Sequence, residues 1–104
     1  MEALLKDVRD AIDADKITFD QRKPKNTDTL LKLGLTIDEA YQEVYDLDTS
    51  NYISGPEEHH QHPGINEVWK FKKTIFAQTV YIKLWVMYSK NGNVAVMSFH
   101  LDNI

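Results

Sequence analysis

Asn91-Gly92, lying between the apolar runs 81–88 and 94–101, dictates more of this chain's fold than any other dipeptide in it. A two-residue hairpin turn needs positive φ at both central residues, and Asn-Gly supplies it at the lowest cost. The flanking runs must then lie antiparallel. With Asn91 and Gly92 as the turn, Tyr88 faces Ala95, Val86 faces Met97, Leu84 faces Phe99 and Ile82 faces Leu101, and every pair is apolar or aromatic. A slip of one residue would throw the whole set onto the other face, so the pattern specifies the pairing. The opposite face follows by alternation, with Trp85 across from Ser98, Lys83 across from His100, and Tyr81 two residues from Lys83.

The strand before this hairpin is placed by the same logic. Val68-Trp69-Lys70-Phe71-Lys72 buries its aromatics only if Trp69 meets Leu84 and Phe71 meets Ile82. Lys70 then stands opposite Lys83 and Lys72 opposite Tyr81, around a turn near Phe76-Ala77. One sheet face is an apolar floor. The other collects Lys70, Lys72, Tyr81, Lys83, Trp85, Ser98 and His100. Directly opposed residues have Cβ atoms about 4.5–5.5 Å apart, so this is one patch.

What covers the floor is helical. Leu5, Val8 and Ile12 recur at helical spacing and predict an amphipathic helix over residues 3–15, followed by a short extended piece at Ile17-Thr18-Phe19. Arg22-Lys23-Pro24-Lys25-Asn26 reads as a basic, proline-broken loop. Asn26 or Thr27 caps a short helix through Leu30, Leu31 and Leu33 that Gly34 stops. Thr36 and Glu39 form a capping box for a third helix burying Ile37, Ala40, Tyr41, Val44 and Leu47. Residues 48–66, polar and broken by Gly55-Pro56 and Pro63-Gly64, read as a long loop. The expected organisation is a single α+β domain. It has a helical half at 1–47, the loop, and a sheet half at 67–102, with the N-terminal helices packed on one face of a small antiparallel β-sheet.

The 104 residues contain no cysteine, which excludes disulfides and thiolate metal cages, and no apolar run long enough for a membrane span. The N-terminus is acidic and amphipathic, unlike a secretory signal, so a cytoplasmic location is expected. Net charge is −4, against non-specific coating of nucleic acid. The halves differ, however. Residues 1–64 hold seven Lys and Arg against fourteen Asp and Glu, whereas residues 65–104 hold five Lys against Glu67 and Asp102. The basic surface therefore gathers on the sheet, as a polyanion site would.

Outward lysines, serines and tyrosines are ordinary on a half-exposed antiparallel sheet. This patch adds two things: three ammonium groups without a carboxylate partner, and a histidine and a tyrosine able to move protons. RNA cleaves itself when a 2′-hydroxyl attacks the adjacent phosphorus. That reaction calls for a base, an acid for the departing 5′-oxygen, and cations for the phosphorane, and it requires no metal. Imidazole suits proton transfer near neutral pH, positioned lysines stabilise developing charge, and Tyr81 and Trp85 can stack on a splayed base. No Ser-His-acid spacing, phosphate-cradling glycine loop or carboxylate pair points to another hydrolase. His59, His60 and His62 lie in a loop without the spacing of a zinc site, so no metal or other cofactor is expected. From a different class, a non-catalytic binding module whose basic sheet face docks a protein partner would use the same lysines and Trp85.

Seven pieces follow one another through about residues 22–100: Arg22-x-x-Lys25-Asn26, Leu33-Gly34-Leu35-Thr36, Leu47 with Tyr52, Gly55-Pro56, Val68-Trp69-x-Phe71, Tyr81-Ile82-Lys83-Leu84, and Ser98-Phe99-His100. In these pieces the chain resembles the MqsR-type (motility quorum-sensing regulator) toxins of type II toxin–antitoxin systems. The resemblance implies a RelE-like fold, sequence-preferring mRNA cleavage (an mRNA interferase) and neutralisation by a cognate antitoxin. It carries active-site roles to Tyr81, to Lys70 beside the tryptophan, and to His100 after Ser-Phe. Ala77 stands where it implies a hairpin glycine. The expected assignment is therefore His100 and Tyr81 in proton transfer and Lys70, Lys72 and Lys83 on phosphate. Arg22 and Lys25 would reach RNA from the loop.

Overall fold

The computed structural model describes residues 1–59, 62–88 and 91–101. Three helices, α1 (Glu2–Asp13), α2 (Pro24–Leu33) and α3 (Ile37–Tyr45), precede most of a five-stranded sheet. The strands are β1 (Ile17–Phe19), β2 (Tyr52–His59), β3 (His62–Ile75), β4 (Gln78–Met87) and β5 (Asn93–Leu101), in spatial order β1-β5-β4-β3-β2. All neighbours pair antiparallel except β1, which joins β5 in parallel. This is the α+β arrangement the patterning predicts, with one strand added from the helical half and one from the segment expected as a loop.

Each helix forms where its local chemistry permits. In α1, Leu4, Leu5, Val8 and Ala11 make the buried stripe, and Lys6 pairs with Asp10 at 2.8 Å on the wet side. α2 starts earlier than expected. Pro24 occupies its first turn, where a missing N–H costs nothing, and Lys23 is the N-cap. The helix closes in a Schellman motif: Gly34 takes φ 69°, Leu35 N–H bonds Leu30 C=O at 2.9 Å, and Gly34 N–H bonds Leu31 C=O at 3.2 Å. In α3 the capping box is present, with Glu39 N–H on Thr36 Oγ1 at 3.1 Å and Thr36 N–H on Glu39 Oε1 at 3.0 Å. Ala40, Val44 and Leu47 are buried, whereas Ile37 and Tyr41 are only partly so.

The β3–β4 pairing is the expected one: Trp69 opposite Leu84, Lys70 opposite Lys83, Phe71 opposite Ile82 and Lys72 opposite Tyr81. Its two-residue turn is Phe76-Ala77, both left-handed at φ 50° and 64°. The β4–β5 register differs from expectation. Tyr81, not Lys83, faces His100, and Lys83 faces Ser98. Beyond a bulge the pairing continues as Leu84 with Val96, Trp85 with Ala95 and Val86 with Val94. The strands close at Met87 and Asn93, so Asn91-Gly92 sits at the end of a longer connection. A bulge adds one residue to one strand and reverses its alternation. Val94 and Val96 therefore enter the core, and Ala95 and Met97 do not.

The bulge has a tertiary cause. β1 pairs with β5 only through Val96, after which Asp20 N–H takes Val96 C=O at 3.0 Å. Side chains of α2 then satisfy the rest of that edge. Buried Asn26 donates from Nδ2 to Met97 C=O at 3.1 Å and to Asp20 C=O at 3.0 Å, and accepts Phe99 N–H at 3.0 Å. Thr29 Oγ1 accepts Leu101 N–H at 3.1 Å. Asn26 thus secures the sheet edge from inside α2 rather than capping that helix.

The segment 48–66, expected as a loop, is a turn of 3-10 helix at Thr49–Asn51 followed by β2 and the start of β3. Its polar sequence still pairs because β3 is long enough to template it, through register shifts on either side of Gly55-Pro56. Gly55 is at φ 124°, and a Cβ there would lie 2.9 Å from Val68 C=O. Helices and sheet enclose a core in which Phe71, Phe99, Ile82, Leu84, Val8 and Val44 are almost wholly buried. Among the described residues no helix is long and apolar enough to cross a membrane.

Candidate active site

On the face away from the helices, adjacent strands deliver their odd-numbered (β4) and even-numbered (β3, end of β5) side chains to one surface. An open depression of about 370 Å³ forms there, lined by Lys70 of β3, Tyr81 and Lys83 of β4, and Ser98 and His100 of β5, with Ile53 of β2 at one wall. The expected catalytic set of His100, Tyr81 and Lys70 therefore shares one depression with Lys83. Their partners across the strands are not all those expected, because the register differs by two residues next to the bulge. A shift of two preserves the face, so the residues stay together.

Tyr81 and His100 are direct cross-strand neighbours, their ring centroids 6.0 Å apart and tilted 35°. His100 Nδ1 lies 3.2 Å from the Leu101 carbonyl. With Nδ1–H donating to that carbonyl, Nε2 is the nitrogen left to exchange a proton with a bound group. Lys83 sits between Lys70 on one side and Ser98 on the other. Its ammonium is held below the ordinary lysine range, chiefly by burial, then by the charges of Lys70 and Lys23, with Glu57 opposing them. Like charges facing across strands are unfavourable, and here the conflict is only partly relieved. Lys70 Nζ pairs with Glu57 Oε1 at 3.2 Å. The expectation of lysines without a carboxylate partner is corrected by this contact, which β2 supplies.

The remaining expected residues are dispersed. Lys72 is exposed and opposite Tyr81, beside the depression rather than in it. Trp85 is half-buried further along β4, opposite Val68 and Ala95 rather than Ser98. Arg22 is turned to Asp20, with Nε–Oδ1 at 3.1 Å and Nη2–Oδ2 at 3.3 Å. That contact holds the Asp20 carboxyl below its usual range. Lys25 is exposed on the first turn of α2. The basic residue of that segment whose charge acts on the site is Lys23, beside Lys83 though outside the lining of the depression, with its Nζ on Met97 C=O at 3.0 Å. That contact depends on α2 docking on β5 and is absent from local pattern. Ile53 and Glu57 were hidden for a similar reason, since Gly55-Pro56 interrupts the alternation that would mark a strand.

Of the three histidines weighed as metal ligands, His60 lies outside the described residues. Among the described residues no group of three His, Asp or Glu side chains is gathered to hold a metal ion. Comparison with protein-family models, with curated proteins and with solved structures finds no match for this chain.

Proposed function

We propose that this chain is an endoribonuclease that cleaves mRNA without a metal, by attack of a 2′-hydroxyl on the adjacent phosphorus. The observation that carries the proposal is the convergence of Tyr81, Lys83, Lys70 and His100 on one open depression. His100 and Tyr81 exchange protons with the 2′-hydroxyl and the leaving 5′-oxygen, a role typically worth about 10²–10⁴-fold in rate. Lys70 and Lys83 face the phosphorane and stabilise its charge, more effectively in a half-buried site than in water. Lys72 and Lys23 lie beside the depression, where cations track a backbone, and Trp85, further along β4, offers a ring to a base. Arg22 and Lys25 are further out and serve at most the approach of the strand. The ordered motif resemblance to MqsR-type toxins supports a further step: the cleavage is toxic to the cell that makes the protein, and a cognate antitoxin silences it.

The test is incubation of the purified protein with a long single-stranded RNA in excess EDTA. Cleavage that is lost in His100→Ala and strongly reduced in Tyr81→Phe, with melting temperatures unchanged, is the expected result. An RNA left intact by the wild-type protein, or an undiminished rate in His100→Ala, refutes the assignment. In the first case the basic face is better understood as a docking surface for a protein partner.

A further inference from the structure

Cleavage alone leaves one property of the depression unused, an amine whose ammonium form is disfavoured by burial, set beside Lys70 and Ser98. Lys83 is half-buried at the middle of the sheet face. The groups facing it from each packed element are Lys70 on β3, Glu57 on β2, Tyr81 two residues away on β4, Ser98 and His100 on β5, and Lys23 at the start of α2. Glu57, the carboxylate in that set, is engaged by Lys70 at 3.2 Å. Burial and two neighbouring cations disfavour the ammonium form. At neutral pH Lys83 therefore holds more nucleophilic amine than an ordinary surface lysine. Lys70 and Ser98, which line the depression of about 370 Å³ with Lys83, make it attractive to a phosphate dianion, and Lys23 adds positive charge nearby.

We propose that Lys83 is a modification site, acylated on Nζ by small acyl phosphates whose phosphoryl group Lys70 and Ser98, beside it in the depression, hold. The Nζ lone pair attacks the acyl carbon and an N–C bond forms. The C–O bond to phosphorus then breaks, phosphate leaves with the bonding electrons, and the excess proton on nitrogen passes to solvent. The product amide is neutral, so acylation removes the positive charge of Lys83 from the depression and weakens the hold on any anion that binds there. Nothing in this step depends on RNA being cleaved.

The experiment exposes the native protein to acetyl phosphate near neutral pH and follows each lysine by peptide mass spectrometry. Lys83 is expected to be acetylated severalfold faster than exposed Lys32. Lys6, whose ammonium is favoured by its bond to Asp10, should be slower still. Inorganic phosphate should slow Lys83 and leave Lys32 unaffected, and Lys70→Met should slow Lys83 by removing both the phosphate contact and the like charge. Lys83 reacting at the Lys32 rate overturns the proposal, and so does a Lys83 preference that phosphate does not reduce. Because the readout contains no RNA, its failure and failure of the nuclease proposal are separate events.

Discussion

Replacing Asn26 by alanine should destabilise this protein more than most polar substitutions. The side chain is 1 % exposed and makes three hydrogen bonds, all to backbone. Its Oδ1 is the acceptor for Phe99 N–H in the core, and a buried donor left without a partner costs about 1–3 kcal/mol. The bond to Asp20 C=O adds about 0.5–1.5 kcal/mol, whereas Met97 C=O keeps Lys23 Nζ at 3.0 Å. Together the loss is about 1.5–4.5 kcal/mol. For a domain of this size each kcal/mol moves the melting temperature by about 4–8 °C, so a fall of about 6 °C or more is expected. Urea unfolding followed by tryptophan fluorescence gives the free energy directly. A change within about 0.5 kcal/mol of wild type, the range of ordinary surface substitutions, would refute the view that α2 secures the edge of β5. The variant should also lose activity per folded molecule, because the bulge at Met97 sets which way Ser98 and His100 point.

Two further outcomes follow from the backbone and the charges. Ala77→Gly should stabilise the protein by about 0.5–1 kcal/mol, because left-handed geometry costs an L-residue about 1–2 kcal/mol and glycine returns part of that as chain entropy. A lower melting temperature in Ala77→Gly would contradict the φ of 64° at that turn. For Lys83, the folded-state pKa lies below the unfolded value of 10.5, so between the two the unfolded chain binds more protons and stability rises with pH. Lys83→Met should therefore raise the melting temperature at neutral pH, with a gain that shrinks as the pH approaches 10.5. A gain independent of pH, or a loss, would mean that the ammonium is not under strain.

The sheet face was legible in the sequence where burial left one choice. Trp69 and Phe71 can be buried only against Leu84 and Ile82, and that alone places Lys70 opposite Lys83. The capping box at Thr36 is equally local, and it is present. The β4–β5 register was not legible, because the bulge answers to Asn26 and Lys23, more than seventy residues away, reaching the Met97 carbonyl. Asn91 and Gly92 are both left-handed, as the dipeptide demands, yet they do not form the whole connection. The candidate site survived that error because a displacement of two residues keeps parity, so His100, Tyr81 and Lys83 share a face under either register. β2 was missed since its alternation lasts only three residues before Gly55-Pro56, and with it went Glu57, the counter-charge that most changes the electrostatics of the patch.

The central claim is that this face brings about attack by a ribose hydroxyl, and the nature of the RNA ends tests it most directly. One RNA is cleaved by the protein in EDTA, its cleavage site mapped, and the same RNA is then made with a single 2′-deoxy nucleotide on the 5′ side of that bond. The account predicts a 2′,3′-cyclic phosphate and a 5′-hydroxyl at the cut in the first RNA, and no cut at that bond in the second. Cleavage of the deoxy-substituted bond, or products ending in a 5′-phosphate, would contradict it, since neither can arise from a 2′-hydroxyl attacking its own phosphodiester.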